Sequence, residues 1–442
     1  MPGMSTAIIG GGIAGLSVAL RLANAGERPV LIEPREMGGM VRTVVKDGFT
    51  RELGPNVLVE RPDIVELISD LKLGSEVAYP SVDPYGQYVW HKGQARKVPA
   101  GVLELVRSPL FSLRTKVALP LRIVWPRVLK ASGDDACVLD FFSSLIGRDG
   151  VEAVLDPVLK GIYGGDAALL SARTLFPGLW GAAKSGSSVL SYMRSRPKGG
   201  KPRIFVLRGG IQGLIHALTS ALDGRVEIVR EAATQVYRAG SGYEVITSTG
   251  RRIPSSSCIV TTAGGATASL IRHIEPNLAQ QLQELEFASL TAVHLAVDRR
   301  ENLIENAFGV LCPGGMPENF LGVMFNSLIF PHMAPPDRHL LTVIVGGAQA
   351  RGETPDVERL KGAIPRLLSE MFGVKGAQWL GSFSWKGAIP QLVVGHHRLT
   401  AALDGAEARH PGLAFVGVDR GGVGVSDRIR VAREGLERIR RR

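Results

Sequence analysis

The sequence is poor in cysteine and has no long uninterrupted apolar run, and each shortage narrows the class of protein. Cys137, Cys258 and Cys312 are odd in number, far apart and free of any CxxC pair. We therefore expect no metal site and no disulfide framework, in a reducing compartment. No run reaches the roughly 18 apolar residues of a spanning helix, and the start lacks the features of a signal peptide. The nine histidines contain no HExxH motif, and we expect the neighbours His396 and His397 on a solvated loop.

What is present is glycine, apolar side chains and positive charge. The 442 residues include 54 glycines and are 45% hydrophobic, which suits a globular α/β protein of two or three compact units. The net charge of +11 favours an acidic partner, either nucleic acid, an anionic membrane surface or an anionic small molecule. The basic residues are not interleaved with stacking aromatics, so we do not expect nucleic acid.

Residues 6–33 have the pattern of one whole βαβ unit. An apolar strand at Thr6–Ile9 precedes G-x-G-x-x-G, helical spacing follows, and a second strand at Pro29–Ile32 ends at Glu33. In that context the glycine motif predicts dinucleotide binding. The three glycines have separate roles: Gly10 allows the tight turn, Gly12 leaves the backbone accessible to a pyrophosphate, and Gly15 lets the helix and the strand pack closely. Ile13 and Ala14 begin the helix, and Glu33 accepts hydrogen bonds from ribose hydroxyls.

The next residues resemble flavoproteins of the amine oxidase and phytoene desaturase type. A glycine pair, Gly38 and Gly39, follows the ribose acid, then Arg42, and then Gly54, Pro55 and Asn56. The resemblance implies FAD as the cofactor, with a second loop that crosses the pyrophosphate and the ribityl chain.

The stretch GVDRGGVGVSDRI, 417–429, follows an apolar strand and precedes a helical pattern. In flavoproteins of this type the last strand, loop and helix return to the first βαβ unit and close the pocket around the flavin ring. The resemblance implies that Gly417 flanks the ribityl chain and that a helix beginning near Val425 and Ser426 points its N-terminus at the flavin. It also places Ala233 beside the adenine and Trp385 in the cofactor site.

Further stretches resemble one branch, the protoporphyrinogen and coproporphyrinogen oxidases. They include GIYGGD at 161–166, the Leu-Gly to Ala-Pro stretch at 320–335 and WKGAIPQLVVGHHRL at 385–399. Two positions depart from the family's pattern: Gln87 stands where many members have a basic residue, and Leu392 replaces a tyrosine. The FAD prediction is unaffected, but the identity of the substrate is left open.

We expect an α/β and α+β protein with three parts. A Rossmann-like, discontinuous FAD-binding domain would comprise 1–60, 204–285 and 400–442. A mixed-sheet substrate domain would comprise 61–98 and 286–399, and 99–203 would form a small helical subdomain. Within the latter, 102–130 interleaves apolar and basic residues and is broken into short helices by Pro109, Pro120 and Pro126. It suits either an interfacial segment on anionic lipid or a subdomain packed over the substrate entrance.

The resemblance implies an FAD-dependent oxidase that converts a porphyrinogen to the porphyrin, with dioxygen as acceptor, in haem or tetrapyrrole biosynthesis. We expect the macrocycle beside Gln87, Leu311, Val323 and Phe325, although core packing is the alternative for the last three. Two rival hypotheses are a related FAD oxidase or desaturase acting on another hydrophobic substrate, and a non-catalytic binding protein. We expect a cytoplasmic protein, with peripheral contact to the inner face of the cell membrane and a homodimer as open alternatives.

Overall fold

The computed structural model describes residues 5–81, 86–99, 102–131, 133–196, 202–301, 303–304, 307–350 and 352–441. Its helices are α1 (Ile13–Asn24), α2 (Pro62–Asp70), α3 (Val102–Arg107), α4 (Leu113–Val124), α5 (Val138–Gly150), α6 (Asp156–Tyr163), α7 (Ala172–Leu175), α8 (Pro177–Lys184), α9 (Val189–Ser195), α10 (Gln212–Leu222), α11 (Gly264–Ile271), α12 (Pro276–Gln283), α13 (Asn326–Ile329), α14 (Val357–Phe372), α15 (His396–Arg409) and α16 (Val425–Arg440).

The strands are β1 (Thr6–Ile9), β2 (Val30–Ile32), β3 (Thr43–Lys46), β4 (Phe49–Glu52), β5 (Leu58–Val59), β6 (Val77–Ala78), β7 (Gln87–His91), β8 (Gln94–Lys97), β9 (Ile204–Leu207), β10 (Glu227–Val229), β11 (Ala233–Ala239), β12 (Gly242–Thr247), β13 (Arg252–Ser255), β14 (Ser257–Val260), β15 (Phe287–Asp298), β16 (Gly309–Leu311), β17 (Phe320–Met324), β18 (Arg338–Gly347), β19 (Gln378–Pro390) and β20 (Leu413–Phe415).

The first and last parts of the chain meet in one parallel sheet. Its strand order is β10-β2-β1-β14-β20, and the central pair aligns Ile8 with Ile259. Helices α1, α10 and α16 bury one face of this sheet, whereas α12 and α15 contribute to the apolar cluster on the other face. The strands are short apolar runs because both faces are covered. The carboxyl ends of β1, β2 and β14 therefore lie side by side, where open α/β sheets bind ligands.

The second large sheet is mixed and has the order β19-β15-β18-β17-β16-β7-β8. Long antiparallel strands β15 and β18 form its centre, with Val293 opposite Val343. Helix α14 covers one face through Leu360, Ile364 and Leu368, which pack on a buried cluster of valines and leucines. The other face looks toward the first sheet. The expected α/β and α+β class is confirmed by this architecture, while the boundaries of the three domains stay predictions.

Helices α4 to α9 pack around their own apolar cluster, which includes Phe141, Phe142 and Trp180. One expectation here is wrong: Pro120 does not break the helix but lies inside α4. A proline removes one N–H from the helical ladder and frees the carbonyl four residues earlier. Pro120 lies on the exposed side of α4, so water can satisfy the freed carbonyl of Lys116.

The expectation of a solvated loop for His396 and His397 is also wrong. His396 begins α15 and is buried, with Nε2 2.7 Å from the carbonyl oxygen of Asp419. His397 lies between two carboxylates, 2.6 Å from Asp134 and 3.3 Å from Asp135. The sequence shows the two histidines as neighbours. It does not show that His397 contacts two aspartates that lie more than 250 residues earlier in the chain.

Candidate active site

The turn between β1 and α1 is built from glycines with different surroundings. Gly10 has φ of +108° and donates its N–H to Ile32, while a methyl group on Gly15 would overlap the carbonyl oxygen of Gly10. A Cβ on Gly12 would meet nothing within 4 Å. Glycine is thus needed at positions 10 and 15 because the backbone of the turn leaves no room or suitable angle for a side chain. At position 12 a side chain would fit, so the absence of one leaves the backbone accessible to a ligand. Ile13 and Ala14 begin α1 and are buried beneath that edge.

Glu33 directly follows β2 and connects the turn after β1 to the next loop. One carboxylate oxygen accepts the N–H of Gly11 at 2.7 Å, and the other accepts the N–H of Arg35 at 2.9 Å. Hydrogen bonds to an ionised acceptor are about twice as strong as neutral ones. The same carboxylate that was predicted to bind ribose therefore also fixes the shape of the turn.

The glycine pair brings a second loop against the first. Gly38 donates its N–H to Gly11 at 2.8 Å, and a Cβ on Gly39 would lie 3.4 Å from the Cα of Gly12. Both glycines have positive φ, 108° and 58°. Only glycine adopts such angles at low cost. The pair is therefore needed for the two loops to touch.

A cavity of about 640 Å³ opens beside these loops. It brings together predicted residues from distant parts of the chain, namely Gly10, Glu33, Gly39, Arg42, Ala233 and Trp385. Sequence reasoning missed other lining residues, among them Arg35, Met40, Thr262 and Ser269. Thr262 follows the carboxyl end of β14, so the rule that ligands bind at the carboxyl ends of parallel strands could have found it.

The far side of the site is formed by Trp385 and the segment after β4. The indole Nε1 donates to the carbonyl oxygen of Leu53 at 2.7 Å, and the Arg42 guanidinium lies 6.0 Å from the ring centroid. A Cβ on Gly54 would overlap the carbonyl oxygen of Met40, which ties this segment to the cavity wall. Asn56, next to Pro55, donates to Gly54 at 3.1 Å and faces the amide of Asn326 at 3.5 Å.

The glycine loop before α16 is held by buried side chains. Arg428 donates to the carbonyl oxygens of Gly417 and Gly421, and burial lowers the pKa of its guanidinium to about 10. Asp419 accepts the N–H of Gly264 at 3.0 Å, and burial raises the pKa of this carboxyl to about 6.

Val425 and Ser426 begin α16; Val425 is buried, and the Ser426 hydroxyl donates to the carbonyl oxygen of Val59 at 2.5 Å. Gly417 packs so closely on Thr262 that a Cβ would overlap its carbonyl oxygen.

The second sheet separates the four predicted substrate residues. Val323 and Phe325 belong to the buried cluster that packs on α14, so they face away from the first sheet and their prediction is corrected to core packing. Side chains alternate along a strand, and Val323 lies opposite Val343, which belongs to the same cluster. Leu311 lies on the other face, against Val89 and beside Gly161 of α6. Gln87 is exposed near the edge of the sheet.

The same alternation identifies the residues on the face that looks toward the cofactor cavity. Trp385 pairs with Leu290, Phe383 pairs with Ala292, and Ala292 pairs with Ile344. The Phe383 and Trp385 rings are in contact at 4.8 Å between centroids. An apolar surface therefore continues from Trp385 across the sheet. Sequence reasoning missed it because it did not assign which face each strand residue occupies.

Two buried titratable groups support this surface. His294 Nε2 lies 2.9 Å from the carbonyl oxygen of Glu52, and burial lowers the pKa of the imidazole to about 4. The Glu52 carboxylate accepts hydrogen bonds from the Thr43 hydroxyl at 2.6 Å and from the Ile211 N–H at 2.8 Å. Burial raises the pKa of Glu52 to about 7. Glu52 thus ties the loop that follows Gly39 to the start of α10.

Comparison with known proteins is consistent with this geometry. The sequence model of the flavin-containing amine oxidoreductase family matches residues 13–423 of the chain. The chain belongs to this family. It is 26% identical to protoporphyrinogen oxidase 2 of Arabidopsis thaliana, over 97% of this chain and 92% of that protein. It is also 26% identical to coproporphyrinogen III oxidase of Bacillus subtilis, over 96% of this chain and 95% of the relative.

Solved structures share the fold across the whole chain. A candidate protoporphyrinogen oxidase from Exiguobacterium sp. 255-15 superposes with a TM-score of 0.81 at 23% identity, and 99% of each chain is covered. Putrescine oxidase with bound putrescine superposes with a TM-score of 0.68 at 18% identity, and again 99% of each chain is covered. At these identities the likeness establishes the fold.

The family and the site together make the protein an FAD-dependent oxidoreductase. The residues fit the cofactor on structural grounds: Gly12 leaves a bare backbone edge, the cavity lies beside the Glu33 carboxylate, and Arg42 supplies a cation on the cavity wall. A pyrophosphate is favoured by exposed N–H groups and positive charge at a helix N-terminus. The start of α1 at Ile13 offers both.

Proposed function

We propose that this oxidoreductase dehydrogenates a porphyrinogen, protoporphyrinogen IX or coproporphyrinogen III, to the porphyrin, with dioxygen as the final acceptor, in tetrapyrrole biosynthesis. The observation that carries the proposal is the end-to-end similarity to proteins named for both activities, over more than nine tenths of each chain. The apolar surface from Trp385 across β15 and β18 supports it, because a flat macrocycle needs a broad apolar contact.

The chemistry makes few demands on acid or base groups of the protein. The bound FAD would accept the hydride and its two electrons. The meso carbon of a porphyrinogen lies between two pyrroles, so loss of hydride leaves a cation that both rings delocalise, and loss of a pyrrole N–H proton to water then gives the neutral product of each two-electron step. The protein's main task is then to hold the substrate in register with the cofactor and to exclude water. Phe383, Ala292 and Ile344 provide apolar contact of that kind.

The remaining residues hold the cofactor. Glu33 would accept hydrogen bonds from the ribose, and Gly38, Gly39 and Arg42 would line the pyrophosphate. The loop at Gly417 and the first turn of α16 would lie beside the flavin ring. N–H groups at a helix N-terminus stabilise negative charge that develops nearby.

A second candidate is oxidation or desaturation of another hydrophobic substrate by the same site. Gln87 favours it, because this neutral, exposed side chain offers a propionate no charge. Leu392 favours it as well, since it is buried and presents no hydroxyl group.

Steady-state oxidation of both porphyrinogens by the flavin-loaded protein distinguishes the candidates. Porphyrin fluorescence should appear, and hydrogen peroxide should accumulate in step with it if dioxygen is the acceptor. A yellow, flavin-loaded protein that oxidises neither porphyrinogen would favour the second candidate.

The segment 102–130 is proposed to contact an anionic membrane surface from the cytoplasmic side. No helix in the described ranges is long and apolar enough to cross a bilayer. Helix α4 instead exposes an apolar stripe: Leu113, Val117, Leu121 and Val124 are 59–77% exposed, as is Trp125. Sedimentation with anionic vesicles should occur and should decrease as salt screens the attraction.

A further inference from the structure

A basic cleft lies at the edge of the second sheet, outside the candidate active site. It has a volume of about 420 Å³ and lies between β8 and α3. Its walls carry three cations, Arg96, Lys97 and Arg107, together with one carboxylate, Glu104. Within the described ranges, these three cations have no ion pair or side-chain hydrogen bond. Like charges held together without such partners repel one another, so an anion that binds among them relieves the repulsion.

The cleft is separated from the cofactor cavity by the whole width of the sheet. Trp385 lies on β19 at one edge and Arg96 on β8 at the other, with β15, β18, β17, β16 and β7 between them. At roughly 4.8 Å per strand the separation is roughly 29 Å. The buried cluster of Val89, Leu110 and Phe111 also lies beneath this end of the sheet. A substrate held at Trp385 does not reach the cleft.

Burial and nearby positive charge both act on a neighbouring imidazole. The pKa of His91 is lowered by burial and by the charges of Lys92 and Arg96. The hydroxyl of buried Ser108, on the opposite wall, already accepts the N–H of Leu110 at 3.3 Å. The walls are therefore an edge strand and a short helix, with one guanidinium group on each side, Arg96 on β8 and Arg107 on α3. Two guanidinium forks suit a phosphate, which offers several acceptor oxygens.

The cleft is continuous with the exposed stripe of α4. Only five residues, 108–112, separate Arg107 at the end of α3 from Leu113 at the start of α4. Residues 105–133 contain six basic residues and no acidic ones. The apolar stripe points away from the cluster that α4 helps to bury, because Leu119 packs on α5 from the opposite side. A surface that offers both anionic groups and an apolar layer matches this combination.

We propose that the cleft of Arg96, Lys97 and Arg107 binds the phosphate headgroup of an anionic phospholipid while the α4 stripe enters the apolar layer. This inference rests on the membrane contact in the proposed function and adds a defined headgroup site to it. A diffuse attraction would depend only on the number of charges. A built site depends on which charges are removed and on the chemistry of the anion.

The test compares two double variants that lose the same charge. R96Q/R107Q removes the guanidinium groups of the cleft, and R114Q/K116Q removes two cations from α4. Binding of the flavin-loaded protein is measured by sedimentation with vesicles of equal parts phosphatidylglycerol and phosphatidylcholine. We expect the cleft variant to bind at least about tenfold more weakly than the control variant, because it loses the charge-assisted hydrogen bonds to the phosphate that the control variant keeps. Equal losses in the two variants would overturn the headgroup site and leave a diffuse attraction.

Two soluble probes make the result independent of the membrane. sn-Glycerol 3-phosphate should raise the melting temperature of the parent and of R114Q/K116Q, but not that of R96Q/R107Q. No effect on the parent would overturn the site even if vesicles bind. Coproporphyrin III, which carries carboxylates, should bind the parent and the cleft variant alike. If the cleft variant loses coproporphyrin binding instead, the cleft serves the substrate and the proposal fails. None of these readouts uses turnover, so failure of the oxidase proposal would be seen separately.

Discussion

The two glycine loops of the cofactor site are held in different ways. The N-terminal turn at Gly10–Gly15 is shaped by backbone contacts, since Gly15 meets the carbonyl of Gly10 and Gly38 donates to Gly11. The C-terminal loop at Gly417–Gly424 is shaped by buried side chains, chiefly Arg428 and Asp419. Where backbone groups pack this closely, glycine is needed at fixed spacings, and this produces a motif that can be recognised in the sequence. Where charged side chains from the loop and from the following helix hold the chain, the role of the glycines becomes clear only in the structure.

The largest expected effect comes from replacing Gly15 of the first turn by alanine, and Gly12→Ala is the matched comparison. Gly15→Ala places a methyl group onto the Gly10 carbonyl, so we expect little folded, flavin-loaded protein. Gly12→Ala meets nothing within 4 Å, and φ of −72° and ψ of 179° suit alanine. That variant should fold but bind FAD more weakly. Circular dichroism and flavin content of the two purified variants check the contrast. If both variants lost only flavin, the backbone role assigned to Gly15 would be wrong.

This contrast shows what the sequence could predict. Spacing alone identified the first strand, the glycine turn and Glu33, because each depends on neighbours within about thirty residues. Resemblance, not spacing, led to Ala233 and Trp385, and the structure places both on the cavity wall. Neither spacing nor resemblance decided between macrocycle contact and core packing for Val323 and Phe325, and the structure shows core packing. Apolar residues on a buried sheet are alike in sequence, and only the pairing with β18 shows which face they occupy.

Arg428 is expected to have the next largest effect. Arg428→Met keeps much of the volume but removes the guanidinium donor to the carbonyls of Gly417 and Gly421, leaving Gly417 only the longer bond from the Arg420 N–H, and removes a cation near Asp419. Breaking a buried charge network from one side costs about 3–5 kcal/mol. Denaturant unfolding should show that loss, together with a weaker flavin signal. Arg430→Met, a surface arginine on the same helix, is the control and should cost less than about 1 kcal/mol. Equal losses in the two variants would mean that the loop does not depend on Arg428.

Glu52 offers a test through pH, because its buried carboxylate holds the loop that follows the glycine pair. Its pKa is raised from the ordinary 4.5 to about 7, so the folded state binds more protons than the unfolded state between those values. Its contribution to stability therefore falls as pH rises from about 4.5 to about 7, by roughly 3 kcal/mol at most. His294 and His396 act in the opposite direction over part of this range, because burial lowers the pKa of both imidazoles.

Comparison of the parent with Glu52→Gln isolates the carboxylate from these histidines. The stability of the variant relative to the parent should increase between pH 4.5 and 7 and then level off. Unfolding in urea at several pH values measures this difference. A difference that does not change with pH would show that the pKa of Glu52 is not raised in the folded protein, contrary to the expectation from its burial.

The smallest effect is expected at Glu33, whose carboxylate makes a charged contact in a turn that is otherwise held by backbone groups and by the Thr261 hydroxyl. Glu33→Ala removes the acceptor of the Gly11 and Arg35 N–H groups and the proposed acceptor of the ribose hydroxyls. FAD affinity should fall by roughly 1.5–3 kcal/mol, about the value of one charged hydrogen bond. The melting temperature should fall mainly through loss of bound cofactor, so excess FAD should restore most of it. Glu36→Ala is the matched control, because this residue also lines the cavity but its carboxylate is 85% exposed. If Glu33→Ala kept its flavin as well as Glu36→Ala does, the cofactor would be bound without the ribose contact.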